Sequence, residues 1–245
     1  VLLAENETGY HNLMKIVSKG FVEGFYYKPR VDLEVLKEYA EGIICLSACL
    51  AGEVSRYLAR NMYEEAVAAA KRYESIFGKG NYFLELQDHG IEEQRTVNMG
   101  LMRMSRELGI GLVATNDIHY ILAEDAAAHD ILLCIQTQKK VTDEDRMRYD
   151  GGQYYLKSED EMKALFPYAL EALENTAKIA KRCNVEIEFG VRKLPKFEVP
   201  KEFWGADNDE KDASWNYLYY LCNEGMKKRY KDKAGDEIYV ERLNY

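Results

Sequence analysis

The sequence lacks an apolar run of the ~20 residues that a membrane-spanning helix needs, and its amino terminus lacks the basic-then-apolar pattern of a signal peptide. It also lacks an excess of positive charge, since it has 33 Lys and Arg and 42 Asp and Glu, for a formal net charge of −9. A protein that grips duplex DNA over a broad surface needs Lys and Arg to neutralise phosphates. The composition therefore argues against such a surface and leaves only local contacts with nucleic acid.

A disulfide framework is also missing. The five cysteines are scattered, odd in number and contain no C-x-x-C pair: Cys45, Cys49, Cys134, Cys183 and Cys222. This usage is typical of reduced thiols and predicts a cytoplasmic protein with no membrane partner. With 245 residues, 47% of them hydrophobic, the chain is large enough to bury a core, which excludes general disorder.

Short apolar strands alternate with amphipathic helices along the first 120 residues. The apolar runs fall at residues 1–4, 43–46, 82–86 and 112–114, and helical spacing follows the first, third and, over about 62–77, the second. Four strand–helix units of this kind predict an α/β fold with parallel strand pairing and helices on the outside. The first residue is Val, within a strand already in progress, so we expect a piece of a longer protein.

Polar side chains follow three of these strands. Asp117 and His119 come directly after the fourth, and on an extended backbone residues two apart point the same way. They form either a metal-ligand or acid/base pair, or an ordinary strand end whose side chains cap a loop. Cys49 follows the second strand, and the carboxyl ends of parallel strands converge, so Cys49 is predicted as a third, soft ligand.

Four further residues are candidates for contact with a substrate or for hydrogen bonding to a metal-binding side chain. Asp88 and His89 follow the third strand, where the histidine either acts in the site or, as the residues favour, bonds to loop backbone. Lys28 and Arg30 lie in an aromatic and basic cluster that either binds a phosphate or a base or, as we favour, packs under the sheet.

The strand–helix alternation breaks after residue 121. A helix is predicted over about 125–134, a charged loop over 141–152, a brief strand at 154–156, a helix over about 170–180 and an alternating strand at 185–189. Two prolines bracket residues 194–200, which predicts an extended linker. An acidic stretch at 207–210 and a helix over 213–230 follow.

Six segments carry a resemblance to a known family: residues 3–10 (LAENETGY), 24–30 (GFYYKPR), 46–50 (LSACL), 84–90 (LELQDHG), 114–120 (ATNDIHY) and 182–185 (RCNV). In order and over nearly the whole chain, they resemble the amino-terminal polymerase-and-histidinol-phosphatase (PHP) domain of bacterial replicative DNA polymerase III alpha subunits. The resemblance implies a partial (β/α) barrel, the carboxyl-terminal part of a distorted seven-stranded barrel, over residues 1–194. Residues 195–245 would then be the linker and first helices leading to the polymerase palm.

The resemblance also implies a metal site. Members of the family hold up to three divalent ions, zinc, manganese or magnesium, and three of nine ligands carry over to this chain: Cys49, Asp117 and His119. The other six would lie upstream of Val1, so we expect the metal to be absent or partial here and the chain alone to be inactive. In the complete protein, Asp117 and His119 would be catalytic through the bound metal.

The function implied is that of the catalytic subunit of a DNA-directed DNA polymerase, with a metal-dependent 3′–5′ exonuclease or phosphoesterase in the PHP domain. Its partners would be DNA, a proofreading exonuclease, the sliding clamp and a clamp-loader subunit. The alternative is a non-catalytic module that stabilises the polymerase and docks the separate proofreading subunit. A stand-alone phosphatase of the same barrel type is disfavoured by the linker and helices that follow.

Overall fold

A computed structural model describes residues 1–191, 194–195, 197–204 and 210–245, which form two compact units, Val1–Ile187 and Glu188–Tyr245. Lys196 of the predicted linker and residues 207–209 of the predicted acidic stretch lie outside the described residues. The first unit contains the sheet and every candidate site residue. The domain boundary predicted after residue 194 stays a prediction.

The first unit is built on an open four-stranded sheet with strand order β1-β2-β3-β4. The strands are β1 (Leu2–Ala4), β2 (Ile43–Leu46), β3 (Tyr82–Leu86) and β4 (Gly111–Ala114). β2, β3 and β4 are parallel, so the carboxyl ends of these three strands meet at one edge, as predicted. The fold is therefore α/β, as the alternation of strands and helices indicated.

The prediction of parallel pairing is wrong for β1, which pairs antiparallel with β2. The chain leaves β1 and returns to β2 at the same edge of the sheet. Glu5 N–H donates to the Gly42 carbonyl at 2.8 Å, and the Asn12 amide donates to the Glu41 carbonyl at 3.0 Å. Gly9 lies so close to Gly42 that an added Cβ would stand 1.8 Å from its oxygen. This close packing at the end of β1 leaves no sign in the apolar pattern.

Helices separate the strands and extend the chain beyond them. The helices of the first unit are α1 (Glu7–Val22), α2 (Leu33–Glu38), α3 (Glu53–Ala59), α4 (Tyr63–Phe77), α5 (Glu92–Leu108), α6 (Ala126–Thr137), α7 (Glu159–Leu165) and α8 (Leu170–Arg182). The second unit contains α9 (Glu210–Tyr230) and α10 (Glu237–Asn244). Among the described helices, none is both long and apolar enough to cross a membrane.

The two faces of the sheet pack differently. On one face, alternate strand residues such as Ile43, Tyr82 and Leu84 join the main core with side chains from α3, α4 and α5. On the other face, a small cluster of Ile44, Leu46, Val113 and Ile179 is packed against Phe83 among others. Burial on both faces explains why these strands read as continuous apolar runs.

Two predicted strands are not strands in the structure. Residues 154–156 contribute a single bridge, in which Tyr155 pairs with Tyr120, and residues 185–189 have no strand assignment. Alternation in the second segment was misleading because Ile187 and Phe189 are exposed rather than packed on one face. The helices predicted near 62–77, 125–134, 170–180 and 213–230 are confirmed as α4, α6, α8 and α9.

Candidate functional site

Asp117 and His119 lie together in the turn that follows β4. His119 Nε2 is 3.5 Å from Asp117 Oδ1, and the two side chains remain 29% and 42% exposed. Asp117 adopts a left-handed backbone with φ of 45°, which is uncommon for a residue other than glycine. His119 N–H donates to the Tyr154 carbonyl at 2.8 Å and holds the turn. The predicted carboxylate–imidazole pair therefore stands at an accessible strand end.

Aromatic rings surround the imidazole of His119. Its ring centroid lies 4.5 Å from that of Tyr149 and 5.5 Å from those of Tyr154 and His129. A histidine ring on an exposed loop rotates freely, whereas these aromatic contacts restrict the ring of His119. Burial raises the pKa of Tyr154, and the nearby Asp117 carboxylate raises it further, so its hydroxyl stays protonated.

Sequence reasoning did not place these aromatic residues in the site. Tyr149 lies within a charged stretch without periodicity, and His129 lies on α6. Nothing in the local sequence around either residue signals the packing, because it arises from contacts between segments about 10 to 35 residues apart. The aromatic content of residues 149–155 is the one feature that could have drawn attention to them.

His89 lies buried behind the same turn, 3% exposed. The Gln94 amide nitrogen donates to Nδ1 at 2.9 Å, so Nε2 carries the proton and donates to the Asn116 carbonyl at 2.9 Å. The ring also stacks on Tyr154, with centroids 4.1 Å apart and an 8° angle between planes. Its neighbour Asp88 accepts a local hydrogen bond from Gly90 N–H at 2.9 Å. His89 thus supports the backbone from which Asp117 projects.

A second support for this turn comes from residues 153–157. Lys157, 8% exposed, donates to Asn116 Oδ1 at 3.2 Å and also to the Gln153 carbonyl. The Asn116 amide in turn donates to the Tyr155 carbonyl at 2.7 Å. Burial lowers the pKa of Lys157, while the charges of Glu161 and Asp88 oppose that shift. The segment predicted as a strand therefore crosses the end of β4 and holds the turn that follows it.

Cys49 occupies different surroundings. It is partly buried and borders a cavity of about 10 Å³ together with polar side chains that include Glu85 and Gln87. Such a volume holds no more than a water molecule, so a nucleotide cannot enter it. Among the described residues, no group of three or more His, Cys, Asp and Glu is arranged to hold a metal ion. The structure brings Asp117 and His119 together but does not add Cys49 to them.

Lys28 and Arg30 are exposed in the loop between α1 and α2. Their contacts are local: the Arg30 guanidinium lies 5.3 Å from the Tyr26 ring centre, and the Lys28 carbonyl accepts from Tyr26 N–H at 3.1 Å. These contacts assign neither residue to the Asp117–His119 pair. Their predicted role in binding a phosphate or base stays a prediction.

The donor set fits a divalent ion in part. An imidazole and a carboxylate suit zinc and manganese, and both are exposed enough to accept an ion. A protein site for zinc uses three or four ligands, so two neighbouring donors supply only part of one.

Comparison with known proteins gives consistent results. The model of the PHP domain family matches residues 1–89. The chain is 45% identical over 230 residues to DNA polymerase III subunit alpha of Treponema pallidum, with 94% of this chain and 19% of the relative covered. For the proteins of the same name from Borreliella burgdorferi and Thermus aquaticus, the identities are 44% and 39%, over 98% and 99% of this chain and 21% and 20% of those relatives. The chain thus spans about a fifth of the length of the curated relatives it matches.

Proposed function

The chain belongs to the DNA polymerase III alpha-subunit family and carries PHP-domain sequence, and from this premise we propose that residues 1–194 form the carboxyl-terminal part of a distorted seven-stranded PHP barrel. The parallel strands β2, β3 and β4, with helices against one face, support this proposal. The sheet is open at β1 and β4, so further strands would have to complete a barrel. Residues 195–245 would form the linker and first helices leading to the polymerase palm.

For the whole protein, the proposed activity is DNA-directed DNA polymerisation in bacterial replication. Its substrate would be DNA, and its partners would be a proofreading exonuclease, the sliding clamp and a clamp-loader subunit. The names of the relatives support this assignment. The proposed location is the cytoplasm, where bacteria replicate their chromosome.

For the chain itself, we propose a contribution to a metal-dependent phosphoesterase site of the 3′–5′ exonuclease type. The observation that carries the proposal is the Asp117–His119 pair, 3.5 Å apart and accessible at the end of β4. Both side chains would be ligands, with Cys49 a third, and the remaining ligands would come from outside this chain. Because the described residues supply so few ligands, we expect the isolated chain to be inactive as a nuclease.

A bound divalent ion would supply a Lewis acid and an activated water for attack on a phosphodiester. The residues of this chain would supply position and shielding. Tyr149 and Tyr154 pack around His119 and hold its ring toward Asp117, while His89 and Lys157 hold the backbone and side chain of Asn116. The His119 ring and the backbone before Asp117 are thus held in place before an ion binds, which lowers the ordering cost of binding.

The alternative is a non-catalytic module that stabilises the polymerase and docks a separate proofreading subunit. One observation favours it: no described group of three potential ligands comes together. A site short of ligands would hold an ion weakly or serve only to stiffen the fold.

Metal content and exonuclease activity of the whole alpha subunit, with and without chelator, test the proposal. We expect chelator-sensitive release of nucleotides from a 3′ end and its loss in His119→Ala, with polymerase activity retained. His11→Ala is the matched control, since His11 is exposed on α1 and bonds to the Glu7 carbonyl of its own helix at 2.8 Å.

The thermal midpoint of each variant separates the two functions. Exonuclease activity unchanged in His119→Ala would rule out the metal-nuclease proposal. A lower midpoint with loss of both activities in His119→Ala, against no change in His11→Ala, would favour the stabilising module.

A further inference from the structure

Glu85 is a buried carboxylate at the centre of the sheet, 5% exposed on β3. It stands beside Val113 of β4 in the strand register, on the sheet face opposite Leu84 and Leu86. Burying a carboxylate is costly unless hydrogen bonds satisfy it, so its position needs an explanation. An acidic residue inside the apolar run Tyr82–Leu86 is the one sequence signal of this group.

Each oxygen of this carboxylate accepts hydrogen bonds from the exits of neighbouring strands. Glu85 Oε2 accepts from Ala48 N–H at 3.0 Å, in the turn after β2. Oε1 accepts from the Thr115 hydroxyl at 2.5 Å, after β4, and from the Gln87 amide at 3.2 Å, after β3. The backbone N–H of Glu85 donates to Ser47 Oγ at 2.8 Å. One side chain therefore ties the exits of all three parallel strands.

The two outer bonds end beside the predicted ligands. Ala48 directly precedes Cys49, and Thr115 lies two residues before Asp117. Ala48 and Asp117 both have left-handed backbones, with φ of 66° and 45°. Non-glycine residues persist in this region only where the surrounding structure imposes it, and such positions concentrate at functional sites. Glu85 bonds directly to one of these turns and, through Thr115, to the strand end that enters the other.

We propose that Glu85 is a positioning residue that fixes the turn carrying Cys49 relative to the turn carrying Asp117 and His119. The use of these turns for metal binding rests on the proposed function, whereas the mechanical link between them does not. The carboxylate would act through its capacity to accept three hydrogen bonds at once, and it need not touch the ion or the substrate.

The opposite edge of the sheet offers a matched control. Glu5, just after β1, accepts from Arg182 Nε at 2.8 Å, and the Arg182 guanidinium also donates to the Gly80 carbonyl at 2.8 Å and to Asn81 Oδ1. This pair ties the carboxyl end of the antiparallel strand β1 to the amino end of β3, at the edge of the sheet opposite Glu85. Glu5→Gln therefore weakens a comparable link without touching the candidate site.

Amide hydrogen exchange on the metal-free whole alpha subunit tests the link directly. Glu85→Gln keeps the size of the side chain but turns one acceptor into a donor, so it cannot accept all three bonds. We expect exchange at Ala48 and within residues 115–119 to be at least about tenfold faster in Glu85→Gln, and faster still in Glu85→Ala. Glu5→Gln should leave both segments unchanged and affect the amino edge instead.

Cobalt binding supplies a second readout that a general loss of stability would not reproduce. With Co²⁺ as the probe, the thiolate-to-cobalt absorption band reports Cys49 and the visible bands report the remaining ligands. In Glu85→Gln we expect Co²⁺ affinity to fall about 10–100-fold, as when other outer partners of metal ligands are removed, while Glu5→Gln binds as the unaltered protein does.

The outcomes separate the two proposals. Local exchange that is unchanged in both Glu85 variants, or that rises equally in Glu5→Gln, would overturn the positioning role. If exchange rises locally but the unaltered protein binds no Co²⁺, Glu85 positions the two turns and the metal-dependent function is wrong. If Glu85→Ala fails to fold, the Glu85→Gln result decides the matter.

Discussion

Replacing His89 by alanine should destabilise the first unit more than any substitution of an exposed histidine. The ring is 3% exposed and bonds to the Asn116 carbonyl and the Gln94 amide, each at 2.9 Å. It also stacks on Tyr154 with centroids 4.1 Å apart. Alanine removes the stacking and leaves the partly buried Asn116 carbonyl and the buried Gln94 amide without their partner.

The magnitude follows from these contacts. Each unsatisfied buried group costs about 1–3 kcal/mol, and the lost aromatic pair about 0.5–1.5 kcal/mol. Because these terms overlap, we expect a loss of about 3 kcal/mol in the free energy of unfolding. For a unit of this size, 1 kcal/mol lowers the melting temperature by about 2–4 °C, so His89→Ala should lower it by about 6–12 °C.

Calorimetric melting of the 245-residue chain measures this shift, with His11→Ala as control. His11 is exposed and its hydrogen bond to the Glu7 carbonyl lies within α1, so its variant should melt within about 2 °C of the unaltered chain. An equally small shift in His89→Ala would refute the inferred support of the Asn116 backbone.

Three further predictions concern groups away from the pair. Burial raises the pKa of Cys45 to about 11, so its thiol should resist alkylation at pH 8 in the folded chain and react after unfolding, as mass spectrometry can measure. Hydrogen bonds, the strongest from the Tyr155 hydroxyl, lower the pKa of Glu161 from 4.5 to about 2. The stability that Glu161 contributes is therefore complete above about pH 5 and lost as the pH falls toward 2. Melting curves at a series of pH values should show that Glu161→Gln removes this part of the acid dependence. Gly9→Ala places a Cβ 1.8 Å from a backbone oxygen and should lower the free energy of unfolding, measured by denaturant titration, by more than about 2 kcal/mol. Gly225→Ala, with open space in α9, should be neutral or stabilising in the same measurement.

The strands could be predicted because strands that are buried on both faces consist mainly of apolar residues. The runs at 43–46 and 82–86 match β2 and β3 residue for residue, since both faces of these strands are covered. Strand direction could not be predicted for β1, because it depends on the contact of α1 with the loop before β2. Local alternation at residues 185–189 was equally uninformative, since nothing in a short pattern says whether a face is covered.

The candidate site divides in the same way. Asp117 and His119 could be predicted as neighbours because residues two apart in the sequence stay close whatever the rest of the chain does. They meet in a turn, however, with Asp117 in a left-handed conformation, and not on the extended backbone that the strand pattern predicts. The position of Cys49 depends on how two separate turns pack, and the structure does not bring it into a group with that pair. Tyr149 and Tyr154 lie in a segment with no periodic pattern, whereas Glu85 is visible in the sequence as an acidic residue within a buried strand.

The central claim is that Asp117 and His119 are ligands of a divalent ion in the whole protein. Anomalous scattering from crystals of the whole alpha subunit grown with Zn²⁺ or Mn²⁺ tests it most directly. We predict an anomalous peak ~2.0–2.2 Å from a nitrogen of His119 and a carboxylate oxygen of Asp117. A protein crystallised with the ion present, in which this position shows no peak or the peak lies on other residues, would contradict the claim.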